Sequence, residues 1–290
     1  MKTGSPTSIR AVLMNLSKKE GLPFQQVITR YLHERLLYRL SVSEYKSLFI
    51  LKGGNLLYAM EGLYIRPTMD IDMLAKHISN DKEILKNIFR DICSIKYEDD
   101  CVTFDTSNIV VSDIDEEKKY SGIRLLIDAK FDTIKQTVQI DIGFGDIITP
   151  APLSLLYPTL LDGLNVPDIM AYSMETVIAE KFEAMIVLGT FNSRMKDFYD
   201  VYILLKNNKI EGENLKEAIL QTFKQRNTAF VENHPLFSES LVNDSNRTFQ
   251  WKHFLKKINA PDLDFPLVIK SILERLQPIY NELSNKTFNS

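Results

Sequence analysis

The sequence predicts an α+β protein, with a mixed β-sheet flanked by helices over residues 1–170 and a helical C-terminal domain over residues 171–290. Three observations carry that expectation. Between residues 102 and 142 the segments CVTF, NIVVSDI, GIRLLIDA and TVQIDIG are rich in β-branched residues and are separated by turn or charged clusters. Short strand and helix patterns alternate upstream of them. Prolines at 150, 152, 158 and 167 then mark a loop-rich crossing, after which the apolar spacing is helical to the end.

Each element has a local reason. SIRAVLMNLSKKEG reads as a helix stopped by Gly21, and PFQQVITRYLHERLLYRLSVS as a helix opened by Pro23. LFIL reads as a buried strand, NLLYAM as a helix and TMDIDML as a strand. SNDKEILKNIFRDICSI follows as a helix with Ser79 or Asn80 as its cap. In the second part the expected helices start near Ser173, Met195, Glu213, Asn246 and Phe265.

Composition excludes several classes. With 290 residues, 44% hydrophobic and 25% charged, the chain is of ordinary globular type and long enough to bury a substantial core. It has neither a signal-peptide pattern at its start nor a run of about 18 uncharged apolar residues, so no membrane association and a cytoplasmic location are expected. Cys93 and Cys101 fit neither a disulfide framework nor a metal pair, and His33, His77, His234 and His253 are widely separated. Zinc and thiol chemistry are therefore disfavoured. Net charge is -3, but residues 1–66 carry ten Lys/Arg against four Asp/Glu, whereas residues 67–193 carry eleven against twenty-two. A basic part thus precedes an acidic one; solvated helix faces or a surface for an anionic polymer would both account for the former.

The acidic part holds the candidate chemistry. On a strand, Asp70 and Asp72 point the same way, about 7 Å apart, while Met69, Ile71 and Met73 point the other. Such a pair suits hard divalent cations, and a half-exposed edge strand would carry the same pattern. In QTVQIDIG, Val138, Ile140 and Ile142 form an apolar face and Asp141 stands on the polar one. If the two strands are neighbours, three carboxylates meet, and they repel unless a cation neutralises them. Upstream, Gly53 and Gly54 join strand to helix with Asn55 in position to cap it, either as a tight connection or as a phosphate cradle at a helix N-terminus.

Two further features lie in the helical part. In SMETVIAEKFEAMIVLG, Lys181 falls inside the apolar stripe of Met174, Ile178, Phe182 and Met185, so its ammonium must snorkel out or meet an anion, either phosphate or a structural partner. In NSRMKDFYDVYILL, Asp197 and Asp200 share a helix face with Lys196, opposite Met195, Phe198, Tyr199 and Tyr202. Together the parts describe metal-assisted nucleotidyl or phosphoryl transfer from an NTP. Neither a Walker G-x-x-x-x-G-K-[ST] motif nor a kinase H-R-D set is present.

The order of these parts resembles the DNA polymerase β-like nucleotidyltransferase superfamily. More narrowly, LKGGNLL, RPTMDIDM, VQIDIGFGDIITP, ETVIAEKFEAMIVLG and NSRMKDFYDVYIL look like the AbiEii family of nucleotidyltransferase toxins, from about residue 10 to residue 280. The resemblance implies a nucleotidyltransferase fold and an enzyme that transfers NMP from NTP with Mg2+ or Mn2+, often to a tRNA 3′ end. It further implies growth arrest, a role in phage defence and an AbiEi-like antitoxin partner. The family's metal-binding carboxylates fall on Asp70 and Asp72, and its third acidic strand position on Asp141. Its phosphate-contacting lysine falls on Lys181 and its helix aspartate on Asp197 or Asp200. Arg66 matches an arginine suited to substrate phosphate, and Gly53, Gly54 and Asn55 match the turn. Asn55 stands where the family usually has a hydroxyl, which points to altered nucleotide affinity or base choice. Arg30, Arg35 and Arg39 on the second helix become a candidate RNA surface. A protein or small-molecule acceptor, or a catalytically silent binding module, are the alternatives.

Overall fold

The computed structural model describes residues 4–63, 65–114, 122–189 and 192–288. The chain divides into two compact units, Met1–Gly145 with Leu153–Ala171, and Asp146–Pro152 with Tyr172–Ser290.

The first unit opens with α1 (Pro6–Glu20), capped by the Ser5 side chain and ended by Gly21 in the left-handed region at φ 65°. α2 (Phe24–Ser41) follows, then β1 (Phe49–Lys52), α3 (Gly53–Glu61), β2 (Asp70–Ala75) and α4 (Lys82–Ser94). The remaining strands are β3 (Val102–Phe104), β4 (Val110–Ile114), β5 (Gly122–Phe131), β6 (Ile134–Phe144), β7 (Leu153–Leu156) and β8 (Asp168–Ala171). They form one mixed sheet in the order β3-β5-β6-β2-β1-β8-β7, with β4 also paired to β5. β2 runs parallel to β6 and β1 parallel to β8, and the other pairs are antiparallel. The α+β class with a mixed, helix-flanked sheet is as expected.

Three local expectations are corrected. α4 is capped by Asp81, whose carboxylate accepts from the Glu83 and Ile84 N–H groups, and not by Ser79 or Asn80. The proline-marked crossing contains two strands, β7 and β8, each of four residues. Most consequentially, the α2 arginines are not an RNA surface: Arg30, Arg35 and Arg39 are 4%, 0% and 2% exposed. α2 packs against α4, β6 and β8, so it is enclosed on nearly every side. Buried guanidinium groups need partners, and these have them. Arg39 forks Asp100 at 2.7 and 3.3 Å and donates to the Val102 carbonyl. Arg35 meets Glu34 at 2.6 Å, and Arg30 donates to the Leu63 carbonyl.

The second unit is helical: α5 (Met174–Leu188), α6 (Met195–Asn207), α7 (Gly212–Arg226), α8 (Glu239–Val242), α9 (Ser245–Lys257) and α10 (Phe265–Phe288). Five of these begin within a residue of the expected starts; Ser173 caps α5 by accepting from the Thr176 N–H, and Asp244 caps α9 by accepting from the Asn246 and Arg247 N–H groups. Its core centres on the rings of Phe182, Phe223, Phe230 and Tyr280, with Phe223 and Phe230 stacked at 4.8 Å. Arg226 at the end of α7 ties the 146–152 segment into this unit through Asp146, Glu180 and Glu183.

Candidate active site

β2 and β6 are parallel neighbours, and their register sets Asp72 opposite Asp141 and Asp70 opposite Gln139. Cross-strand partners share a face, so the three aspartates meet. One carboxylate oxygen from each of Asp70, Asp72 and Asp141 lies within 4.8 Å of the other two. All three are partly exposed, while Ile71, Met73, Val138, Ile140 and Ile142, on the opposite face, are at most 1% exposed; Met69, expected on that face, precedes β2 and is 62% exposed. The alternation read from the sequence is therefore what aims the carboxylates outward.

The same row extends to both sides. Lys52 of β1 pairs in register with Asp72, and Arg124 of β5 with Asp141. Lys52, Asp72, Asp141 and Arg124 thus form one line across four strands, with cations at its ends. Arg124 forks Asp141, Nε donating to Oδ1 at 2.8 Å and Nη2 to Oδ2 at 2.7 Å. Gln139 Nε2 donates to the same two oxygens at 3.2 and 3.3 Å. Asp70 Oδ1 accepts from the Thr68 hydroxyl at 2.7 Å.

β1 turns directly into α3 against this row. Gly53 takes φ +66°, and a Cβ there would overlap the Asp72 side chain; one at Gly54 would strike Thr68. The two glycines are therefore required by the closeness of the turn to the carboxylate strand, and the first N–H groups of α3, which lack intrahelical partners, open beside it. Asn55 departs from expectation. Lys52 occupies the N-cap of α3 and makes no side-chain capping hydrogen bond, and Asn55 lies inside the helix, so it does not cap it. Its side chain is 1% exposed, with Nδ2 donating to the Asp70 carbonyl at 2.6 Å and Oδ1 accepting from the Tyr157 hydroxyl at 2.9 Å. His33 Nδ1 lies 3.2 Å from Asn55 Nδ2, and burial pushes the His33 imidazole down to about 4, so it is neutral at ordinary pH. Asn55 is thus a buried bridge among α2, α3 and β2, because the third position of α3 faces inward. Arg66 sits partly exposed in the loop entering β2.

The second unit gathers the other sequence-marked residues. Lys181 of α5 reaches Asp197 at 2.9 Å and Asp200 at 2.7 Å on α6, and Arg194 meets the second oxygen of Asp197 at 2.8 Å. Of the two fates open to Lys181, it meets an anion. Asp197 and Asp200 are 1% and 0% exposed, whereas Lys196 faces solvent, so the expected sharing of a face with Lys196 is corrected. α6 is buried on several sides, and the lysine beneath it draws both carboxylates inward. Burial alone would raise the Asp197 carboxyl, but Lys181 and Arg194 hold it below the ordinary carboxylate value.

Sequence reasoning gave no role to Arg124, Thr68 or Lys52, and placed Gln139 on the polar face beside Asp141 without assigning it one. A signal for Arg124 existed. β5 and β6 are joined by Asp132 and Thr133, and counting outward along both strands from that two-residue turn pairs Arg124 with Asp141.

The family model for the nucleotidyl transferase AbiEii toxin of type IV toxin–antitoxin systems matches residues 35–277. The chain belongs to the AbiEii family. As an AbiEii protein it is a nucleotidyltransferase of the toxin class, which implies a nucleotide substrate and an antitoxin partner. The solved structure of JHP933 from Helicobacter pylori is similar over 91% of this chain and 96% of its own, at 13% identity and a TM-score of 0.50, which shows a shared fold. An antigenic nucleotidyltransferase-like protein from Paracoccidioides brasiliensis is similar over 66% of this chain and 88% of its own, at 14% identity and a TM-score of 0.39. No curated protein matches the sequence. Among the described residues of this AbiEii chain, no helix is long and apolar enough to cross a membrane.

Proposed function

We propose that this AbiEii protein transfers a nucleoside monophosphate from an NTP to the 3′-hydroxyl of an RNA, with tRNA as the acceptor class, in the presence of Mg2+ or Mn2+. The observation that carries the reading is the meeting of Asp70, Asp72 and Asp141, with oxygens within 4.8 Å, beside the Gly53–Gly54 turn. Three hard oxygen donors so close fit a divalent cation by chemistry and spacing. When bound, such a cation neutralises triphosphate charge and favours the ionised acceptor hydroxyl.

The residues of this chain supply the remaining functions. Asp70 and Asp72 hold the cation, and Asp141 completes the set and faces the acceptor. The N–H groups at the start of α3 receive triphosphate oxygens, close to the carboxylates because Gly53 and Gly54 carry no side chain. Arg66 is assigned to substrate phosphate. Lys181 is assigned to nucleotide phosphate, with Asp197 and Asp200 orienting its ammonium. In the transfer, the acceptor oxygen bonds to the α-phosphorus, the bond to the β-phosphate breaks, and pyrophosphate leaves. The consequence is growth arrest in the cytoplasm, relieved by an AbiEi-like antitoxin, with phage defence as the biological setting.

The test incubates purified protein and Mg2+ with each α-labelled NTP and total cellular RNA, beside an Asp70→Ala control. Label in RNA of tRNA size, lost in the control and without Mg2+, is the expected result. Label in neither RNA nor the protein itself, with growth arrest unaffected by Asp70→Ala, would overturn the reading. Label in protein would move the acceptor to a protein side chain.

A further inference from the structure

We propose that Arg124 is a positioning residue that competes with the divalent cation for Asp141, so that the Arg124–Asp141 pair sets the cation concentration at which the site loads. The inference rests on the metal-dependent reading of the site above. It starts from the backbone: Arg124 and Asp141 are register partners in the β5–β6 hairpin, so the guanidinium is held beside this carboxylate by strand pairing. Both Asp141 oxygens accept from the Arg124 fork, and both accept from Gln139 as well. An ionised carboxylate offers about four lone-pair positions. A cation therefore gains Asp141 by displacing a donor that is already there.

Asp70 differs, since its Oδ1 accepts from Thr68, a neutral hydroxyl. The Arg124 fork is bidentate and carries a full positive charge, whereas Thr68 gives Asp70 one hydrogen bond from a neutral donor, so a cation meets at Asp141 a competing charge that Thr68 does not place on Asp70. The group that yields is Arg124, whose side chain is 37% exposed against 15% for Asp141 and has solvent to move into. A guanidinium stays charged at every relevant pH, so protonation does not release the pair; the cation does.

The experiment is Mn2+ binding to the full chain without nucleotide, by calorimetry or by the loss of the free-Mn2+ resonance signal. Arg124→Gln is expected to tighten Mn2+ binding about tenfold or more, because a charge-assisted fork no longer opposes it. Arg124→Lys should fall between wild type and Arg124→Gln, since an ammonium keeps the charge without the fork. In the Asp141→Asn background, Arg124→Gln should lose its effect, which a purely structural role for Arg124 would not produce. If Arg124→Gln fails to fold, the Arg124→Lys shift carries the same test. Equal or weaker Mn2+ affinity in the Arg124 variants, with wild type binding normally, would overturn the competition alone and leave the carboxylate site standing. Absence of Mn2+ binding in wild type and variants would overturn the metal site and the competition together.

Discussion

Asp70, Asp72 and Asp141 stand on adjacent strands, partly open to solvent, with oxygens within 4.8 Å of one another. Asp197 and Asp200 lie at most 1% exposed on α6, interleaved with Lys181 and Arg194 at 2.7 to 2.9 Å. In the helical unit, two carboxylates meet two cations at contact distance, so each carboxylate faces an opposite charge. In the sheet unit, the carboxylates are adjacent to each other and the cations occupy the ends of the row. Like charges side by side cost free energy that a ligand can recover, whereas alternating charges in a dry interior stabilise only when every member is present. On the function proposed above, the difference separates a place suited to a cation from one that holds a lysine in position.

The comparison can be broken most severely at Asp72. Asp72→Asn should lower label transfer by about 100-fold or more, because on the proposed function several kcal/mol of charge stabilisation come through a cation that Asp72 would hold, while the unfolding midpoint changes little. A large loss of stability with activity retained would place Asp72 in the structural class instead.

Asp200→Ala tests the other side. Removing one member of a buried ion pair leaves Lys181 undercompensated, and the expected cost is about 3 to 5 kcal/mol in urea unfolding. A cost below about 1 kcal/mol would show that the helical cluster is not a closed electrostatic unit.

The floor beneath the α3 turn adds a pH signature. His33 is held neutral down to about 4, below its unfolded value of 6.5, so between those values the unfolded chain binds a proton that the folded chain refuses. Stability from this residue is full above pH 6.5 and is lost as pH falls toward 4, by up to about 3 kcal/mol. His33→Asn should flatten that slope when the two urea-unfolding series are subtracted; identical slopes would sink the assignment.

The smallest effect is expected at Lys82 and Asp113, an ion pair with side chains 44% and 53% exposed. Lys82→Ala should change unfolding free energy by no more than about 1 kcal/mol, and added salt should erase the difference. A larger change would mean that exposure is not what separates the two kinds of cluster.

Much of this is legible in the sequence. The polar and apolar alternation of TMDIDML and TVQIDIG set the facing of Asp70, Asp72 and Asp141, since on a strand a residue's face follows from its position alone. β7 and β8 were not legible, because four residues flanked by prolines carry little local preference and become strands through pairing, β8 directly with β1. The facing of Asp197 and Asp200 was misjudged because Asp197, Phe198, Tyr199 and Asp200 are four consecutive buried residues, and a single-stripe reading fails for a helix enclosed on several sides. The same enclosure hid the arginines of α2.

The sequence by itself determined the fold class, the order of the motifs and the chemical character of the site, because periodicity, caps and glycine turns act between near neighbours in the chain. Only the tertiary structure decided which charges meet: Arg124 with Asp141, Lys181 with Asp197 and Asp200, Arg39 with Asp100, and Asn55 with the backbone of Asp70. Those pairings depend on strand register and helix packing between distant segments. They matter because electrostatic and hydrogen-bond energies are large only at contact distance and away from water.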